Sequence, residues 1–407
     1  GFKFFMSNVN KISLVEAIAL VLIIIVNRLS VNMPQNIVLS CCSSAVLNAI
    51  YVSVLALLFI FILVKLFKRF PECDIMDISE FAGGKFFKNV ICIILFLYLI
   101  SIVSVLLRDF SETLKILYYI DTPIIYILMF FIGVCLVSNL FGGHSIVKTN
   151  LIICVIMLIS LIVSYISVLP NAVPQRVFPI LGYGAKQTFF YGITNIFAFN
   201  GLFVLYFLPP MLANKKDFKK LSIISILICA VLIISATASL LLAFSFSTQI
   251  EKISSLYMLL SNNEFGKYLQ HPESLFAFTW ILSFMSYLNI CCMLLTVILK
   301  KFINVKNEKP FIIPICLIIF IIAIIPRSIM QAREIENTIY KFIALPLLFI
   351  VLPIILFFAN KKYIALTSFL SFSRISRHCS SFNYIYIFPT YFSMNMEIIF
   401  NLNSFFI

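Results

Sequence analysis

The sequence predicts an all-α, polytopic membrane protein of about ten transmembrane helices, and three observations carry that prediction. Hydrophobic residues make up 62% of the 407 and charged residues 11%, with a mean hydropathy of +1.10, a balance that no single soluble core could hide. Apolar runs long enough to cross ~30 Å of hydrocarbon, about 20 residues each, recur along the chain instead of standing once at its start, so a cleaved signal does not account for them. The basic residues sort by alternate loops, as in a multi-pass protein.

Ten runs follow in order: residues 12–30, 45–64, 90–107, 122–140, 150–169, 191–208, 221–246, 275–299, 311–325 and 338–359. Helices are the required form. Backbone amides in hydrocarbon need internal partners, and these continuous apolar runs lack the alternation of a membrane barrel. The loops on the side of both termini collect Lys3, Lys11, Lys65, Lys68, Arg69, Lys85, Lys88, Lys148, the Lys215–Lys220 cluster, Lys300, Lys301, Lys306, Lys309, Lys361, Lys362, Arg374 and Arg377. The opposite side has Arg28, Arg108, Lys115, Arg176, Lys186, Lys252, Lys267, Arg327, Arg333 and Lys341, half as many of the 30 Lys and Arg. Both termini are therefore expected in the cytoplasm. The formal charge of +14 is then topology plus attraction to anionic head groups; nucleic-acid binding is not expected, since no soluble domain could carry a recognition fold.

The ends differ from the rest. Met6 reads as a natural start, with residues 1–11 a cytoplasmic segment before the 12–362 membrane domain. Residues 363–407, rich in Ser, Phe, Asn and Tyr, have two readings, a cytoplasmic tail or translated sequence outside the functional unit, and the second is favoured.

Within the membrane domain the first and sixth runs are interrupted, at Asn27, Arg28 and Ser30 ahead of Asn32 and Pro34, and at Asn200 and Gly201 ahead of Pro209 and Pro210. Both interruptions start with Asn, meet Pro within ten residues and lie five helices apart, which predicts a five-plus-five inverted repeat (about 12–169 and 191–359) with helices 1 and 6 broken around a mid-membrane site. The bland alternatives are close helix packing at Gly201 and a snorkelling Arg28 at an interfacial helix end; the second is the preferred reading of Arg28.

Four stretches then carry a family resemblance. Residues 70–87 (FPECDIMDISEFAGGKFF), residues 107–115 (LRDFSETLK) followed by Thr122 and Pro123, residues 178–184 (FPILGYG) and residues 196–210 resemble the endospore germination permease family of the amino acid–polyamine–organocation transporter superfamily, in order over Met6 to about Lys362. The resemblance implies a leucine-transporter-like fold and the role of membrane B subunit of a nutrient-germinant receptor. Its implied partners are a small nutrient, an amino acid, and receptor A and C subunits, in the inner membrane of the spore. Many members carry a Gly-containing stretch where this chain has Asn27 and Arg28.

An amino acid offers a carboxylate that suits free N–H groups at an unwound helix, and an ammonium that suits carbonyls and hydroxyls. The candidate ligand-binding residues are Asn27, Ser30, Tyr98, Ser101, Phe199, Asn200, Gly201, Tyr287 and Asn289, with Phe197 and Phe203 as further walls. Arg108, Asp109 and Glu112, with Lys115, are either a solvated, self-paired helix end or an outer gate or docking surface. Glu16 is a proton-coupling acid or a dipole-favoured one. Most of the cysteines, including Cys92, Cys135, Cys154, Cys229, Cys291, Cys292 and Cys316, read as small buried hydrophobes, and adjacent Cys41 and Cys42 are poorly placed to bridge each other. The three histidines, His144, His271 and His378, lie in separate loops or the tail, and the pairs Gly83–Gly84 and Gly142–Gly143 read as turns without a nucleotide-fold pattern. No catalytic constellation, metal or cofactor is expected. A transporter coupled to H⁺ or Na⁺ and a ligand-gated ion-conducting subunit remain as alternatives, because each needs the same cavity. Cysteine-labelling of loops 215–220 and 300–309 should find both cytoplasmic; labelling of either from outside would overturn the topology.

Overall fold

The computed structural model describes residues 11–244, 257, 260, 272–305 and 307–379. Residues 1–10, with Lys3, Lys252, Lys267, His271, Lys306 and the stretch 380–407 lie outside them, as do the side chains of Ser30, Arg374, Arg377 and His378. The elements are α1 (Leu14–Val31), α2 (Met33–Cys41), α3 (Ala45–Phe67), α4 (Ile75–Tyr118), α5 (Ile124–Phe141), α6 (Gly143–Ile166), a sixth-span helix Lys186–Tyr206, α7 (Asp217–Ala243), α8 (Pro272–Ile303), α9 (Ile312–Ile324), α10 (Ile329–Ile339) and α11 (Leu352–Cys379). Among the described residues, eight helical runs are long and apolar enough to cross a membrane. The 18-residue α1 and the shorter Lys309–Ile324 helix cover the first and ninth apolar runs, so each run read in the sequence falls on a helix.

Local chemistry sets the ends. Ser13 and Glu16 form a capping box at α1: the Glu16 carboxylate accepts from the Ser13 amide at 2.7 Å, and the Ser13 hydroxyl accepts from the Glu16 amide at 3.3 Å. Two orphan donors of the first turn are thereby satisfied, which assigns Glu16 a capping role. Ahead of that cap, Ile12 pairs with the strand-like segment after Pro209 and Pro210: its amide donates to Met211 O at 2.9 Å and its carbonyl accepts from the Ala213 amide at 3.0 Å. The start of helix 1 is thus tied to the end of helix 6. Asp74 caps α4 by accepting from the Asp77 amide at 3.0 Å, and Lys301 closes on Asp74 and Asp77 at 2.5 and 2.6 Å. The third span's helix therefore begins well ahead of the apolar run at 90–107, with a kink at Gly84, whose φ of +82° favours glycine. Gly142, at φ +97°, turns the chain between α5 and α6, which puts His144 on α6 and not in a loop.

Two expected breaks take a different form. α1 continues helically through Asn27, Arg28 and the Ser30 backbone, and changes direction only at Asn32 (φ −147°) before Met33 and Pro34. The sixth span has no unwound gap at Asn200 and Gly201. It is π-wound over Lys186–Phe190 and 3₁₀-wound over Tyr191–Tyr206, far longer than the three or four residues usual for 3₁₀ structure, which marks strain or a hinge. π-wound turns also interrupt the last span, at Tyr340–Ala344 and Leu347–Val351.

The altered winding of helix 6 is supported from α2 and α3. Asn48 donates to the carbonyls of Thr188 and Gly192 at 2.7 and 3.0 Å and accepts from Asn195 at 2.7 Å. Gln187 donates to Ser40 O at 3.0 Å, and Ser44 bonds Thr188 at 2.8 Å. A Cβ at Gly192 would stand 2.3 Å from Asn48 Nδ2, so only glycine admits this contact.

The expected end of the helical pattern at Lys361 and Lys362 is also displaced. No Gly or Pro interrupts residues 360–379, and α11 runs to Cys379. Residues up to Ala359 form one compact unit and those from Asn360 a second. Apolar side chains such as Phe130, Ile159, Val231 and Ile321 stand exposed around the first unit, as a lipid-facing surface requires. Replacing Asn48 by Ala should destabilise the protein by about 1–3 kcal/mol, because two buried carbonyls lose their donor; thermal unfolding in detergent, followed through the one tryptophan, measures it, and an unchanged midpoint would refute this role.

Candidate functional site

Helix α1 brings two polar side chains into the bundle. Asn27 is 3% exposed and donates to Ile23 O and, across to α8, to Ser283 O, both at 2.9 Å. Its Oδ1 and the Ser283 hydroxyl are buried with no partner in the structure, an arrangement that a polar guest or water would complete. Arg28 is 5% exposed and forms an ion pair with Glu336 of α10, itself 1% exposed. The Arg28 guanidinium lies 4.0 Å over the Tyr340 ring, and Asn32 donates to Glu336 at 3.5 Å. The snorkelling reading of Arg28 is therefore overturned: its charge is neutralised by a carboxylate and an aromatic face inside the protein, a geometry suited to a planar guanidinium.

Next to this pair α4 meets helix 6. The Tyr98 hydroxyl donates to Asn200 Oδ1 at 3.1 Å and accepts from Asn200 Nδ2 at 2.8 Å. Phe197 packs on Tyr340 with ring centroids 6.0 Å apart, and Phe203 on Tyr98 at 6.3 Å. Phe199 is fully buried. Gly201 abuts α1 so closely that a Cβ would lie 2.5 Å from an Ile25 side-chain carbon; its bare backbone serves helix packing at this point. Tyr287 of α8 is buried beside Phe284, with ring centroids 5.7 Å apart. The structure thus brings together Asn27, Tyr98, Asn200, Gly201 and Tyr287. Ser101 is half-buried on α4, whereas Asn289 lines a separate cleft with Ser138, Ser145, Thr149 and Ser286.

The acidic and basic group at the end of α4 is not a solvated helix end. Arg108 (6% exposed) pairs with Glu112 at 2.6 Å, as the i,i+4 spacing predicts, while Asp109 is fully buried and accepts from Arg333 of α10 at 3.0 Å. Phe110, between them, stacks on Phe284 at 3.8 Å and meets Trp280 edge-on. The sequence reading counted Arg333 only toward topology, and it missed Glu336, Ser283 and Tyr340. The available signal was the amphipathic charge of residues 329–339 directly before the last apolar run, which placed Arg333 in a loop by count alone. Outside the spans, burial pushes the Cys73 thiol up to about 12, which leaves it unreactive.

The spore germination protein family matches residues 11–332. The chain belongs to that family. Among solved structures, it is similar to the manganese transporter of Eremococcus coleocola in complex with an aromatic bis-isothiourea substituted compound (15% identity, 86% of this chain and 82% of that one, TM-score 0.61). A Na⁺-coupled sialic acid symporter in a substrate-bound outward-open state is similar as well (10% identity, 84% and 75% covered, TM-score 0.55). A comparison with curated proteins found no significant match. The permease is thus an integral, multi-pass membrane protein with the leucine-transporter-like fold, in a family and among folds of permeases and transporters.

Removing one partner of the Arg28–Glu336 pair leaves a buried charge uncompensated. Glu336→Ala and Arg28→Ala should each cost about 3–5 kcal/mol, and the double variant less than their sum. Thermal unfolding in detergent reads the cycle, and strictly additive losses would show that the two charges do not interact.

Proposed function

We propose that the permease is the membrane subunit of a nutrient-germinant receptor, in which a small zwitterion, an amino acid, binds between α1, helix 6 and the α10–Tyr340 segment and triggers germination. The observation that carries this reading is the buried Arg28–Glu336 pair beside the Tyr98–Asn200 bond. A zwitterion can exchange places with such a pair, its carboxylate taking Arg28 and its ammonium taking Glu336, so each buried charge stays compensated while the two helices separate. Unpaired Asn27 Oδ1 and Ser283 Oγ supply acceptors for the ammonium at the same level. Because a ligand shifts an equilibrium only by its differential affinity for two states, the closed state is the one with the pair intact, and the open state is the one the nutrient stabilises. The family supports partner A and C subunits and the inner spore membrane as the setting in which that change is passed on. The transporter-like fold also supports substrate movement; uptake of labelled amino acid into proteoliposomes would turn the reading toward transport, and ion release without uptake toward a gated channel.

The test uses Asn200→Ala and Glu336→Gln, because a larger side chain at Gly201 would collide with Ile25 and report on packing. Germination dose-response curves, normalised to the subunit present in the membrane, should shift for Asn200→Ala by about 5- to 150-fold, the loss of one buried hydrogen-bond partner being ~1–3 kcal/mol. Glu336→Gln should respond more weakly still. Unchanged half-maximal concentrations in both would place the ligand elsewhere.

A further inference from the structure

Among the described residues, three thiols from three different spans converge on one point: Cys135 of α5, Cys292 of α8 and Cys316 of α9, with their sulfurs within 4.8 Å of one another. Cys292 and Cys316 Sγ are 3.9 Å apart, and the three residues are 1%, 0% and 2% exposed. A metal–thiolate bond of about 2.3 Å places three sulfurs around one ion about 4.0 Å apart in a trigonal array, so the thiols stand near the spacing of a ligand set. Cys135 has its own polar support. Asn139 Nδ2, fixed by donating to Cys135 O at 2.9 Å, lies 3.6 Å from Cys135 Sγ, and that thiol points at Leu288 O at 3.8 Å. An amide donor aimed at a ligand sulfur is the support a bound thiolate needs.

We propose that Cys135, Cys292 and Cys316 form a trithiolate site for a thiophilic divalent ion of the Zn²⁺ class. Binding exchanges up to three thiol protons for one ion. In a low-dielectric bundle a divalent ion leaves a single residual negative charge on three thiolates, whereas a monovalent ion leaves two, which favours the divalent species. Oxygen-preferring ions such as Mg²⁺ and Ca²⁺ are poorly matched to sulfur. The ion has a route. A cleft of about 120 Å³ lined by Ser138, Ser145, Thr149, Ser286 and Asn289 lies one helical turn from the thiols, Ser138 following Cys135 on α5 and Asn289 preceding Cys292 on α8. The buried Asn289 Oδ1 has no partner in the structure, and a water there could complete a fourth position. By the charge reading this cleft sits toward the cytoplasmic end of α5 and the start of α6, on the Lys148 side, and against the middle of α8. Tyr287 and Cys291 stand on the opposite stripe of α8 from Asn289 and Cys292, so the thiol site is separate from the Arg28 chamber, and a bound ion would pin α5, α8 and α9 together.

Cd²⁺ added to the full chain, purified in detergent and reduced, reports the site through the ultraviolet thiolate-to-cadmium charge-transfer band. One ion per chain is expected, with Cys135→Ser and Cys316→Ser each weakening binding at least ~10-fold and Cys154→Ser, on α6, leaving it intact. Zn²⁺ should raise the thermal midpoint of the parent chain and not of Cys316→Ser. A parent chain that gives no band, a band that survives both cluster substitutions, or a Cys292–Cys316 disulfide whose reduction restores no ion uptake would overturn the proposal. None of these outcomes depends on the germination response.

Discussion

Every departure from α-helix in this protein must be compensated without water, because hydrocarbon gives a backbone carbonyl no partner. That constraint explains why the sixth span is wound as it is. A π-turn followed by a long 3₁₀ segment realigns carbonyls that a straight α-helix would have used, and Asn48 takes up those of Thr188 and Gly192. Asn195 and Ser40 complete the network, with Asn195 donating to Ser40 Oγ at 3.0 Å. The side chains of α2 and α3 are therefore part of the backbone chemistry of helix 6. A glycine at 192 is the condition for bringing Asn48 close enough.

The same dielectric argument orders the charges. Arg28, Arg108 and Arg333 face Glu336, Glu112 and Asp109, so the buried group is electrically balanced and each ion has a named counter-ion. Such pairs give little net stability against an apolar replacement, since desolvation consumes much of the Coulombic gain. On the proposed reading, a zwitterionic guest is one that can part such a pair while each charge keeps a counter-ion.

How much of this was legible follows from what each feature requires. Span positions were legible, since an apolar run of sufficient length has one reading in a membrane. Asn200 stood out because it is polar inside an apolar run, and its bond to Tyr98 joins two residues already singled out. Arg28 was visible as a residue but read as interfacial, and Asp109 was left between two readings: near a span end one charge looks interfacial, and the partner that buries it, Glu336 or Arg333, is more than two hundred residues away on a helix too polar to be counted as a span. The three thiols were seen singly as small apolar groups. Their convergence depends on the rotation of α5, α8 and α9 about their axes, which helical periodicity in uniformly hydrophobic segments does not reveal. Gly201 was legible as a close approach, and the structure sets it against Ile25 of α1.

The Arg28–Glu336 and Asp109–Arg333 pairs both draw a partner from α10, which links the two parts of the buried charge group. Arg333 and Glu336 are three residues apart, on one face of that helix, and reach Asp109 of α4 and Arg28 of α1 respectively. An 11-residue helix is stiff over that distance, so it cannot move away from α1 at Glu336 without displacing Arg333 from Asp109. Directly after it the chain is π-wound at Tyr340–Ala344, a geometry with a weaker hydrogen-bond register than α-helix and a common place for a helix to bend. The pieces of a lever are therefore contiguous: a rigid arm with two charged teeth, and a deformable turn that carries the Tyr340 ring beneath Arg28. A guest that separates Arg28 from Glu336 acts on the whole arm, and the Asp109–Arg333 contact carries its displacement to α4, the longest helix of the bundle.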